Sequence, residues 1–241
     1  MPYDFGPREA ASFTQRCAEL VVKHAPPSRG KALDVGCAVG GASFELARSF
    51  AHVTGLDFSA SFIAAAKRLA AGERLPCTAL EEGQLSSWFV AQPPSDCDLS
   101  RLHFRTGDAC ALPPASPAFG PFDAILASNL LCRLPTPDSF LSALPGLLTP
   151  TGVAVLLSPY SWLEEYTPQS LWLGGVVRGG DSVYSAPTFL ARMDELGLEC
   201  LEQSDVPFLI REHGRKFQYG VSHATVWRLK QTAPAEAEAS D

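Results

Sequence analysis

The sequence predicts a doubly wound α/β domain, in which a mainly parallel sheet carries helices on both faces. Short apolar runs alternate with amphipathic segments along most of the chain, and a glycine-rich turn follows the first apolar run. Two strand-like segments then follow one another near the end without a helix between them. Alternation of this kind is typical of a parallel sheet, because the crossover helices cover its faces. We therefore expect one domain over residues 1–230 that ends in a pair of antiparallel strands.

The first part of the chain contains two strand–helix pairs behind an N-terminal helix. Apolar side chains recur at helical spacing in the first segment, and Pro26 and Pro27 end it. The second strand ends in an acid, and Ser59 is a favoured N-cap for the helix that follows. The predicted helices are 9–24, 41–50 and 59–71, and the predicted strands are 31–36 and 52–59.

Residues 72–100 interrupt the alternation. They contain a polar piece that we predict to be helical and then a loop rich in Pro, Ser and Asp, so we interpret them as an insertion. Residues 231–241 are polar and acidic, which is typical of a disordered tail. Between these two segments we predict strands at 101–109, 122–131, 153–162, 198–211 and 221–230, and helices at 140–152 and 187–197.

The composition is that of an acidic globular protein. Hydrophobic residues make up 46% of the 241 residues, and the net charge is −7, which disfavours a nucleic-acid partner. No apolar run reaches the ~18 residues of a membrane span, and no secretory signal is visible, so we expect a cytoplasmic protein without a membrane partner. The seven cysteines include no CxxC pair and no cluster at zinc spacing, which predicts reduced structural thiols and no metal.

The glycine-rich turn, DVGCAVG from Asp34 to Gly40, is the first candidate site. Ligands of doubly wound sheets bind outside the carboxyl ends of the strands. Gly36 permits a sharp turn, and Gly40 lets the next helix begin close to a ligand. The glycine spacing breaks the dinucleotide pattern GxGxxG, and no Gly-Lys-Ser/Thr follows. Because Asp34 would repel phosphate and attract an ammonium group, a cofactor with an amino-acid end and a nucleoside end fits better than NAD.

Three more strand ends carry polar side chains. Asp57 ends the second strand, where an acid commonly accepts both hydroxyls of a ribose, and Phe58 would flank the adenine or ribose. Asp108 follows the third strand and could accept the amino group of adenine. Asn129 stands where the fourth strand opens, so its side chain should point over the top of the sheet toward the reacting centre.

The order of these motifs over residues 31–132 resembles the class I S-adenosylmethionine-dependent methyltransferases. The resemblance implies a Rossmann-like, seven-stranded and mostly parallel sheet with a reversed last strand, consistent with the late strands. It also implies S-adenosylmethionine as the methyl donor and S-adenosylhomocysteine as the product. The cofactor-binding residues implied in this way are Asp34, Gly36, Cys37, Ala38, Gly40, Asp57, Phe58, Ser59, Asp108, Ala109, Asn129 and Leu130.

Three other segments combine aromatic and charged residues: YDFG at residues 3–6, SPYSWLEEYTP from Ser158, and REHGRKFQYG from Arg211. Aromatic walls, paired acids and a basic cluster are compatible with a pocket for a small zwitterion. An arginine would bind its carboxylate and an aromatic ring would stack on a planar group or cation. Core aromatics and a solvated hairpin turn give the same pattern, so the residues alone leave both interpretations open.

With the glycine loop, these segments are similar over nearly the whole chain to one methyltransferase family, the domain usually fused to the ovothiol-forming 5-histidylcysteine sulfoxide synthase. That family methylates a ring nitrogen of 5-thiohistidine to give ovothiol A, which implies this small-molecule substrate and a functional pairing with a sulfoxide synthase. On this basis we expect Asn129 and Tyr160 to be catalytic. The expected substrate-binding residues are Tyr3, Phe5, Tyr160, Trp162, Glu165, Tyr166, Arg211, His213, Arg215 and Lys216.

The sequence departs from that family in two respects and leaves other functions open. The iron-dependent synthase domain is absent from this chain, and Cys132 stands where the family has an acidic residue. A methyltransferase of another small acceptor, or a catalytically silent cofactor-binding partner of a synthase, would share the glycine loop. An NAD-dependent oxidoreductase is disfavoured by the broken GxGxxG.

Overall fold

The computed structural model of the chain describes residues 7–231. The predicted roles of Tyr3 and Phe5 and the predicted acidic tail beyond residue 231 lie outside the described residues. The α-helices are α1 (Phe13–His24), α2 (Gly41–Leu46), α3 (Ala60–Ala70), α4 (Pro137–Leu147) and α5 (Ser185–Glu195). The strands are β1 (Lys31–Val35), β2 (His52–Asp57), β3 (Leu75–Glu82), β4 (Leu85–Ala91), β5 (Leu102–Thr106), β6 (Phe122–Ser128), β7 (Leu148–Ser158), β8 (Val176–Arg178), β9 (Asp181–Val183), β10 (Leu198–His213) and β11 (Lys216–Leu229).

Seven of these strands form one sheet in the order β10-β11-β7-β6-β1-β2-β5. The neighbours from β7 to β5 pair in parallel, whereas β11 pairs antiparallel with both β7 and β10. The predicted fold class, a mostly parallel seven-stranded sheet with a reversed last strand, is confirmed. The chain leaves β1 toward β2 on one side and later returns to β6 on the other, which places the topological switch point between β1 and β6.

Two apolar cores cover the two faces of the sheet. Helices α1, α2 and α3 pack on one face, and α4 and α5 pack on the other. Alternate side chains of one central strand serve both cores: Ala124 and Leu126 of β6 face the first, and Ile125 and Ala127 face the second. A strand buried on both faces reads as a continuous apolar run, which is why β6 was recognisable in the sequence.

The insertion at 72–100 differs from its prediction. The helical piece expected there is wrong, because β3 and β4 form an antiparallel hairpin with a turn around Gly83, whose φ is +53°. Along β3 the burial alternates residue by residue, and β4 contains Trp88, Phe89 and Val90, which favour strands. The charged residues before the turn suggested a helix, whereas the glycine in a left-handed conformation sets a hairpin.

Two predicted helices have different ends. The helix predicted at 41–50 is regular only over Gly41–Leu46. The helix predicted at 140–152 occupies Pro137–Leu147, and the residues after it already belong to β7. Leu148 pairs with Phe122 of β6, so pairing across the sheet takes the chain out of the helix before Pro150.

The two late strands form a hairpin that is much longer than the sheet beneath it. β11 pairs with β7 only from His223 to Arg228, so the remainder of the hairpin extends beyond the carboxyl edge of the sheet. Phe208 packs against Phe13 at the start of α1, with ring centroids 5.6 Å apart. At the tip, the Gly214 N–H donates to the Glu81 carbonyl oxygen at 3.2 Å. The β10–β11 hairpin therefore reaches over α1 to the turn of the β3–β4 hairpin.

A short hairpin, β8–β9, joins β7 to α5 and was not predicted; its turn contains Gly179 and Gly180. All seven cysteines are free thiols. Within residues 7–231, no helix has the length and apolar character needed to cross a membrane.

Candidate functional site

The carboxyl edge of the sheet carries an unusual backbone. Ala38, Asn129 and Tyr160, which follow β1, β6 and β7, have φ values of 48°, 54° and 51°. A positive φ is costly for a residue with a Cβ, and such residues cluster at binding and catalytic sites. Three of the four non-glycine residues with positive φ among the described residues lie at this edge, and the fourth is Arg29. The geometry therefore identifies the predicted edge as the candidate site.

The glycine loop is packed too tightly for side chains. Gly36 has φ +74°, and a Cβ there would lie 2.9 Å from Leu130 Cδ1. Gly40 has φ +94°, and its Cβ would lie 2.6 Å from the Phe104 ring. The N–H groups of Gly36 and Cys37 both donate to the Leu56 carbonyl oxygen, at 2.8 and 3.1 Å, which fixes the loop against the end of β2. Both predicted glycines are thus required by geometry.

Asp34 lies beneath this loop rather than beside a ligand. Its side chain is 1% exposed, and its Oδ2 accepts a hydrogen bond from Ser43 Oγ at 2.6 Å. Burial raises the pKa of Asp34 to about 6, against an ordinary value of 3.8. The expected direct attraction of an ammonium group is not what the structure shows, because the strand places this carboxylate inside the protein. Asp34 instead ties β1 to α2.

Asp57 organises the backbone around the loop. Its Oδ2 accepts the Ala38 N–H at 2.9 Å, and its Oδ1 accepts the Ser59 N–H at 2.8 Å. Ser59 in turn accepts the Phe62 N–H, as the predicted N-cap of α3. One carboxylate therefore fixes both the left-handed residue of the glycine loop and the start of the next helix.

A pocket of about 240 Å³ opens beside Asp57. Phe58 stands at its rim, 80% exposed, and offers one flat aromatic face. Asp108 Oδ1 accepts the Cys110 N–H at 2.8 Å, which turns the chain after β5 around the opposite wall. The predicted cofactor residues that line the pocket are Gly36, Asp57, Phe58, Asp108, Ala109 and Leu130, and the lining residues that the prediction did not include are Leu56, Gly107, Arg133, Leu134 and Pro135.

Beyond the pocket, two hydrogen-bonded pairs connect the ends of β6 and β7 to β11. Ser222 Oγ donates to Asn129 Oδ1 at 2.6 Å. The Tyr160 hydroxyl lies 2.8 Å from His223 Nδ1, and His223 Nε2 lies 3.2 Å from Gln203 Oε1. Sequence reasoning proposed Asn129 and Tyr160 but missed their partners Ser222 and His223, and the Gln203 bonded to His223. These residues stand on late strands that only the sheet register brings to this edge.

Both members of the Tyr160–His223 pair are uncharged at neutral pH. Burial raises the pKa of Tyr160 and lowers the pKa of His223 below its ordinary value of 6.5. The Gln203 carboxamide oxygen accepts from His223 Nε2–H, which leaves Nδ1 as the acceptor for the Tyr160 hydroxyl. The edge therefore presents neutral polar groups to whatever binds beside the pocket.

The aromatic segment after β7 divides between core and surface. Trp162 is 8% exposed, stacks on Trp172 and donates from Nε1 to Ser185 Oγ at 2.9 Å. Its ring therefore belongs to the core and does not form the pocket wall that the sequence suggested. Tyr166 is 41% exposed and lies under the Arg133 guanidinium, which is 4.8 Å from its ring centroid. Hydrogen bonding with Glu165 raises the pKa of the Tyr166 hydroxyl.

The predicted basic cluster lies at the tip of the β10–β11 hairpin. Arg211 Nη2 donates to Glu81 Oε1 at 2.8 Å, and Lys216 pairs with Glu212 at 2.6 Å. The Arg215 N–H donates to His213 Nδ1 at 3.2 Å within the turn. In the part of the chain that the structure describes, no hydrogen bond or ion pair joins this cluster to Asn129 or Tyr160. The structure thus supports the solvated hairpin turn that the sequence left open, with Arg211 bonded to the neighbouring hairpin.

Cys132 is buried at 1% exposure, 3.8 Å from Ser161 Oγ, which makes it a core residue. Among residues 7–231, no group of three or more His, Cys, Asp or Glu side chains is placed to hold a metal ion.

A family model described as a methyltransferase domain matches residues 33–154, just over half of the 241 residues. The match covers the glycine loop, Asp57, Asp108 and Asn129. The chain therefore belongs to the methyltransferase domain family and is a class I methyltransferase that uses S-adenosylmethionine. A comparison with curated protein sequences finds no match. The pocket fits this cofactor, since it combines a flat exposed aromatic ring with two carboxylates that can accept from hydroxyl and amino groups.

Solved structures share the fold at low sequence identity. The CcbJ methyltransferase of Streptomyces caelestis is 16% identical, with a TM-score of 0.57 and coverage of 95% of this chain and 99% of the other. A TehB-like methyltransferase of Corynebacterium glutamicum is 18% identical, with a TM-score of 0.51 and coverage of 90% and 88%. The [4+2]-cyclase SpnF is 20% identical, with a TM-score of 0.58 and coverage of 90% and 82%. These likenesses show the fold and leave the acceptor to be argued from the site.

Proposed function

We propose that this chain, as one domain over residues 1–230 with an insertion at 72–100, N-methylates an imidazole ring nitrogen of 5-thiohistidine and so forms ovothiol A. The observation that carries the proposal is the pair of neutral hydrogen-bonded contacts, Asn129–Ser222 and Tyr160–His223, at the edge beside the cofactor pocket. Neutral donors and acceptors suit an uncharged imidazole ring. The similarity of the late segments to the ovothiol methyltransferases supports the identity of the acceptor.

The lining of the pocket supports the proposed cofactor roles. Phe58 would pack on the adenine ring, Asp108 would accept from its amino group, and Asp57 would accept from the ribose hydroxyls. Asp57 also binds the Ala38 N–H, so ribose binding and loop geometry are coupled through one carboxylate. The loop from Gly36 to Gly40, which includes Cys37, would hold the methionine portion, and Asn129 would orient the methionine end from the end of β6.

Bound S-adenosylmethionine supplies an electrophilic methyl group on a sulfonium. The residues at the strand ends then have to aim one ring nitrogen of the acceptor along the methyl–sulfur axis. An imidazole nitrogen with a pKa near ~6.5 is largely unprotonated at neutral pH, so positioning provides most of the acceleration. Asn129 and Tyr160 lie at the ends of adjacent strands and are suited to orienting the ring. Exclusion of water assists, because charge is dispersed as the methyl group moves.

Selectivity for nitrogen over sulfur requires a hold on the amino-acid end of the substrate, because the thiolate on the same ring is the stronger nucleophile. The sequence-based proposal gives the carboxylate of the substrate to Arg211, assisted by Arg215 and Lys216, and its ammonium group to Glu165, although the structure holds these basic residues at the hairpin tip, where Arg211 pairs with Glu81 and Lys216 with Glu212. Arg211 is one-third exposed and uses Nη2 for Glu81, while a guanidinium has five N–H donors. Tyr166 lies under the guanidinium of Arg133, which lines the cofactor pocket.

Arg211→Ala tests this assignment. If Arg211 binds the carboxylate, the KM for 5-thiohistidine should rise by about tenfold or more, because a charge-assisted hydrogen bond is lost, while the dissociation constant of S-adenosylmethionine stays unchanged. If Arg211 only joins the two hairpins, both constants should stay unchanged. Arg228→Ala is the matched control, since Arg228 pairs with Glu199 at the opposite end of the same hairpin. Steady-state kinetics and calorimetric titration supply the two constants.

A second background separates substrate binding from a purely structural contact. In a Glu81→Ala chain the ion pair between the hairpins is already absent. Arg211→Ala should still raise the KM there if the arginine binds substrate. An unchanged KM in both backgrounds would remove Arg211 from the acceptor site.

Partners and location belong to the same proposal. The family resemblance supports functional pairing with a sulfoxide synthase that supplies the thiohistidine precursor. One solved neighbour, 16% identical, is a putative methyltransferase in complex with the Haloferax volcanii Trm112 activator, a methyltransferase with a protein partner. Seven free thiols are compatible with a reducing compartment, and we propose the cytoplasm.

The alternative function is methylation of a different small acceptor. It is supported by the neutral polar groups at the edge, which are not specific to an imidazole ring. Parallel assays with 5-thiohistidine, histidine and unrelated small amines distinguish the two. Preferential turnover of an acceptor without the thiol would favour the alternative.

A further inference from the structure

We propose that His223 accepts the proton released during methyl transfer, through the hydroxyl of Tyr160, and that Gln203 sets the tautomer that makes this possible. His223 is a positioning residue in this scheme, since it acts through Tyr160 and does not touch the acceptor. The inference rests on the proposed function only in requiring an acceptor nitrogen that loses a proton. It explains why His223 and Gln203, both remote from Tyr160 in the sequence, extend a chain of hydrogen bonds from its hydroxyl.

The three side chains form a linear chain of hydrogen bonds. Tyr160 Oη and His223 Nδ1 are 2.8 Å apart, and His223 Nε2 and Gln203 Oε1 are 3.2 Å apart. Because an amide oxygen can only accept, Nε2 carries the hydrogen and Nδ1 has a free lone pair for the Tyr160 O–H. The Tyr160 oxygen retains lone pairs for a proton that arrives from the acceptor side.

The backbone holds this chain in place. Tyr160 has φ +51°, and its N–H donates to Ser158 Oγ at 3.1 Å. Ser158 is the residue opposite His223 in the β7–β11 register, so the strand pairing sets the separation between the tyrosine and the histidine. The ring of Tyr160 also packs against Phe189 of α5, with centroids 6.4 Å apart. Tyr160 is therefore a strained residue that contacts β7, α5 and His223, and strained residues of this kind cluster at functional sites.

The charges around His223 suit a transient proton acceptor. Burial lowers its pKa, while Asp205, opposite it on β10, acts in the other direction. Tyr160, which meets it from the end of β7, is a weak acid whose pKa burial raises further. Tyr160 therefore cannot remain ionised, whereas it can pass one proton on while receiving another. His223 starts neutral and becomes an imidazolium that Asp205 stabilises.

The proton balance is closed. The nitrogen–carbon bond forms, the sulfur–carbon bond breaks, and sulfur keeps the bonding electron pair. The methylated ring then carries one proton more than the neutral product. That proton passes from a ring N–H to the Tyr160 oxygen as the Tyr160 hydrogen passes to His223 Nδ1. Loss of the proton from His223 Nδ1 to water, after the product has left, restores the Nε2–H tautomer and the starting state, and no oxidant, reductant or metal is required.

The first experiment needs no acceptor. Long-range ¹⁵N–¹H spectra of the full chain report which imidazole nitrogen of His223 carries the hydrogen, with His223→Asn used to assign its signals. We expect the Nε2–H tautomer with an unprotonated Nδ1, and a downfield shift of Nδ1 in Tyr160→Phe, which removes its hydrogen-bond donor. An Nδ1–H tautomer would overturn the proposal, since that nitrogen could not receive a proton from Tyr160.

The second experiment separates proton acceptance from structure. In His223→Asn the amide oxygen can still accept from the Tyr160 hydroxyl, but it cannot take up a proton. We expect kcat to fall by about 100-fold, as for loss of a general base, with little change in KM or cofactor affinity. The wild-type kcat should decline as the pH falls through the pKa of His223, and His223→Asn should lack this decline. His103→Asn, an exposed histidine on β5, is the matched control and should keep wild-type kinetics.

The two outcomes of failure are distinct. Wild-type kcat and an unchanged pH profile in His223→Asn would show that the histidine only fixes Tyr160, which overturns the relay. If the wild-type chain does not methylate 5-thiohistidine, the proposed acceptor is wrong. The proton relay is then tested by the tautomer of His223 and by the kinetics of His223→Asn with the acceptor that the protein does use.

Discussion

At the scale of single residues, the site combines a buried carboxylate with non-glycine residues in the left-handed backbone conformation, and both are unusual for these residue types. Asp34 is a carboxylate with no access to solvent, and Ala38, Asn129 and Tyr160 hold left-handed backbones without being glycine. The sequence located Asp34, Ala38 and Asn129 at strand ends, because polar or glycine-rich residues directly after an apolar run mark the end of a strand, and it singled out Tyr160 within its predicted fifth strand. It could not tell that Asp34 points inward, because that orientation depends on how β1 sits between its neighbours.

Replacing Asp34 by Asn should remove a pH dependence of stability. The folded-state pKa of about 6 exceeds the ordinary 3.8, so the stabilisation linked to the protonated form is complete at low pH and is lost as the pH rises through 6. A difference of that size corresponds to about 3 kcal/mol. Asn stays neutral and can accept from Ser43. We expect the free energy of unfolding of Asp34→Asn, relative to wild type, to increase between about pH 4 and pH 7.

Chemical denaturation at several pH values measures this difference. Asp194→Asn is the control, because Asp194 is an exposed partner of Lys230. A relative stability of Asp34→Asn that stays constant with pH would show that the buried carboxylate is not protonated in this range.

The residues that sequence reasoning missed share one property. Gln203, Ser222 and His223 stand within strands, where polar residues are common on exposed faces, and nothing in their immediate neighbourhood marks them. They become site residues only because β11 pairs with β7 in a register that places His223 beside Ser158. Motifs with local causes, such as the glycine loop, were therefore predictable, whereas contacts set by pairing between distant strands were not.

At the scale of elements, the parallel core was predictable and the hairpins were not. The central strands β1, β6 and β7 are largely buried on both faces and read as apolar runs. The β3–β4 hairpin is largely exposed and contains few buried residues, so its composition resembled a polar helix. The glycine loop, in contrast, could be predicted from the sequence. Its conformation depends on Gly36 and Gly40, where the backbone and the neighbouring side chains leave no room for a Cβ.

Gly36→Ala tests that element. Both Gly36 and Gly72 have positive φ, at +74° and +84°, but an added Cβ meets Leu130 at 2.9 Å in the first and open space in the second. We expect each substitution to cost about 1–2 kcal/mol of stability through backbone strain. Only Gly36→Ala should also weaken S-adenosylmethionine binding, by about tenfold or more, because the loop and Leu130 must shift at the pocket.

Calorimetric titration of both variants, with thermal melts to confirm folding, provides the comparison. Gly72→Ala measures the loss of stability that backbone strain alone causes, because the added Cβ contacts no neighbouring atom there. Equal cofactor affinity in Gly36→Ala and wild type would remove the loop from the binding site.

At the scale of the whole molecule, the two halves of the site have different origins. The cofactor half lies within residues 33–154, the span that matches the methyltransferase domain family. The proposed acceptor half adds to the end of β6 the segment after β7 and the hairpin β10–β11, which both lie outside that span. Solved structures with this fold include two methyltransferases and a [4+2]-cyclase, so the fold alone does not define the acceptor. The central claim therefore concerns the edge where Asn129 and Tyr160 meet β11.

Mass spectrometry of 5-thiohistidine incubated with S-adenosylmethionine and the full chain tests that claim most directly. We predict a product heavier by one CH₂, with the added group retained on the imidazole ring after the free thiol has been alkylated. Tyr160→Phe should yield the same product more slowly. A thioether product, or no product under conditions where calorimetry shows the cofactor bound, would contradict methylation of the ring nitrogen.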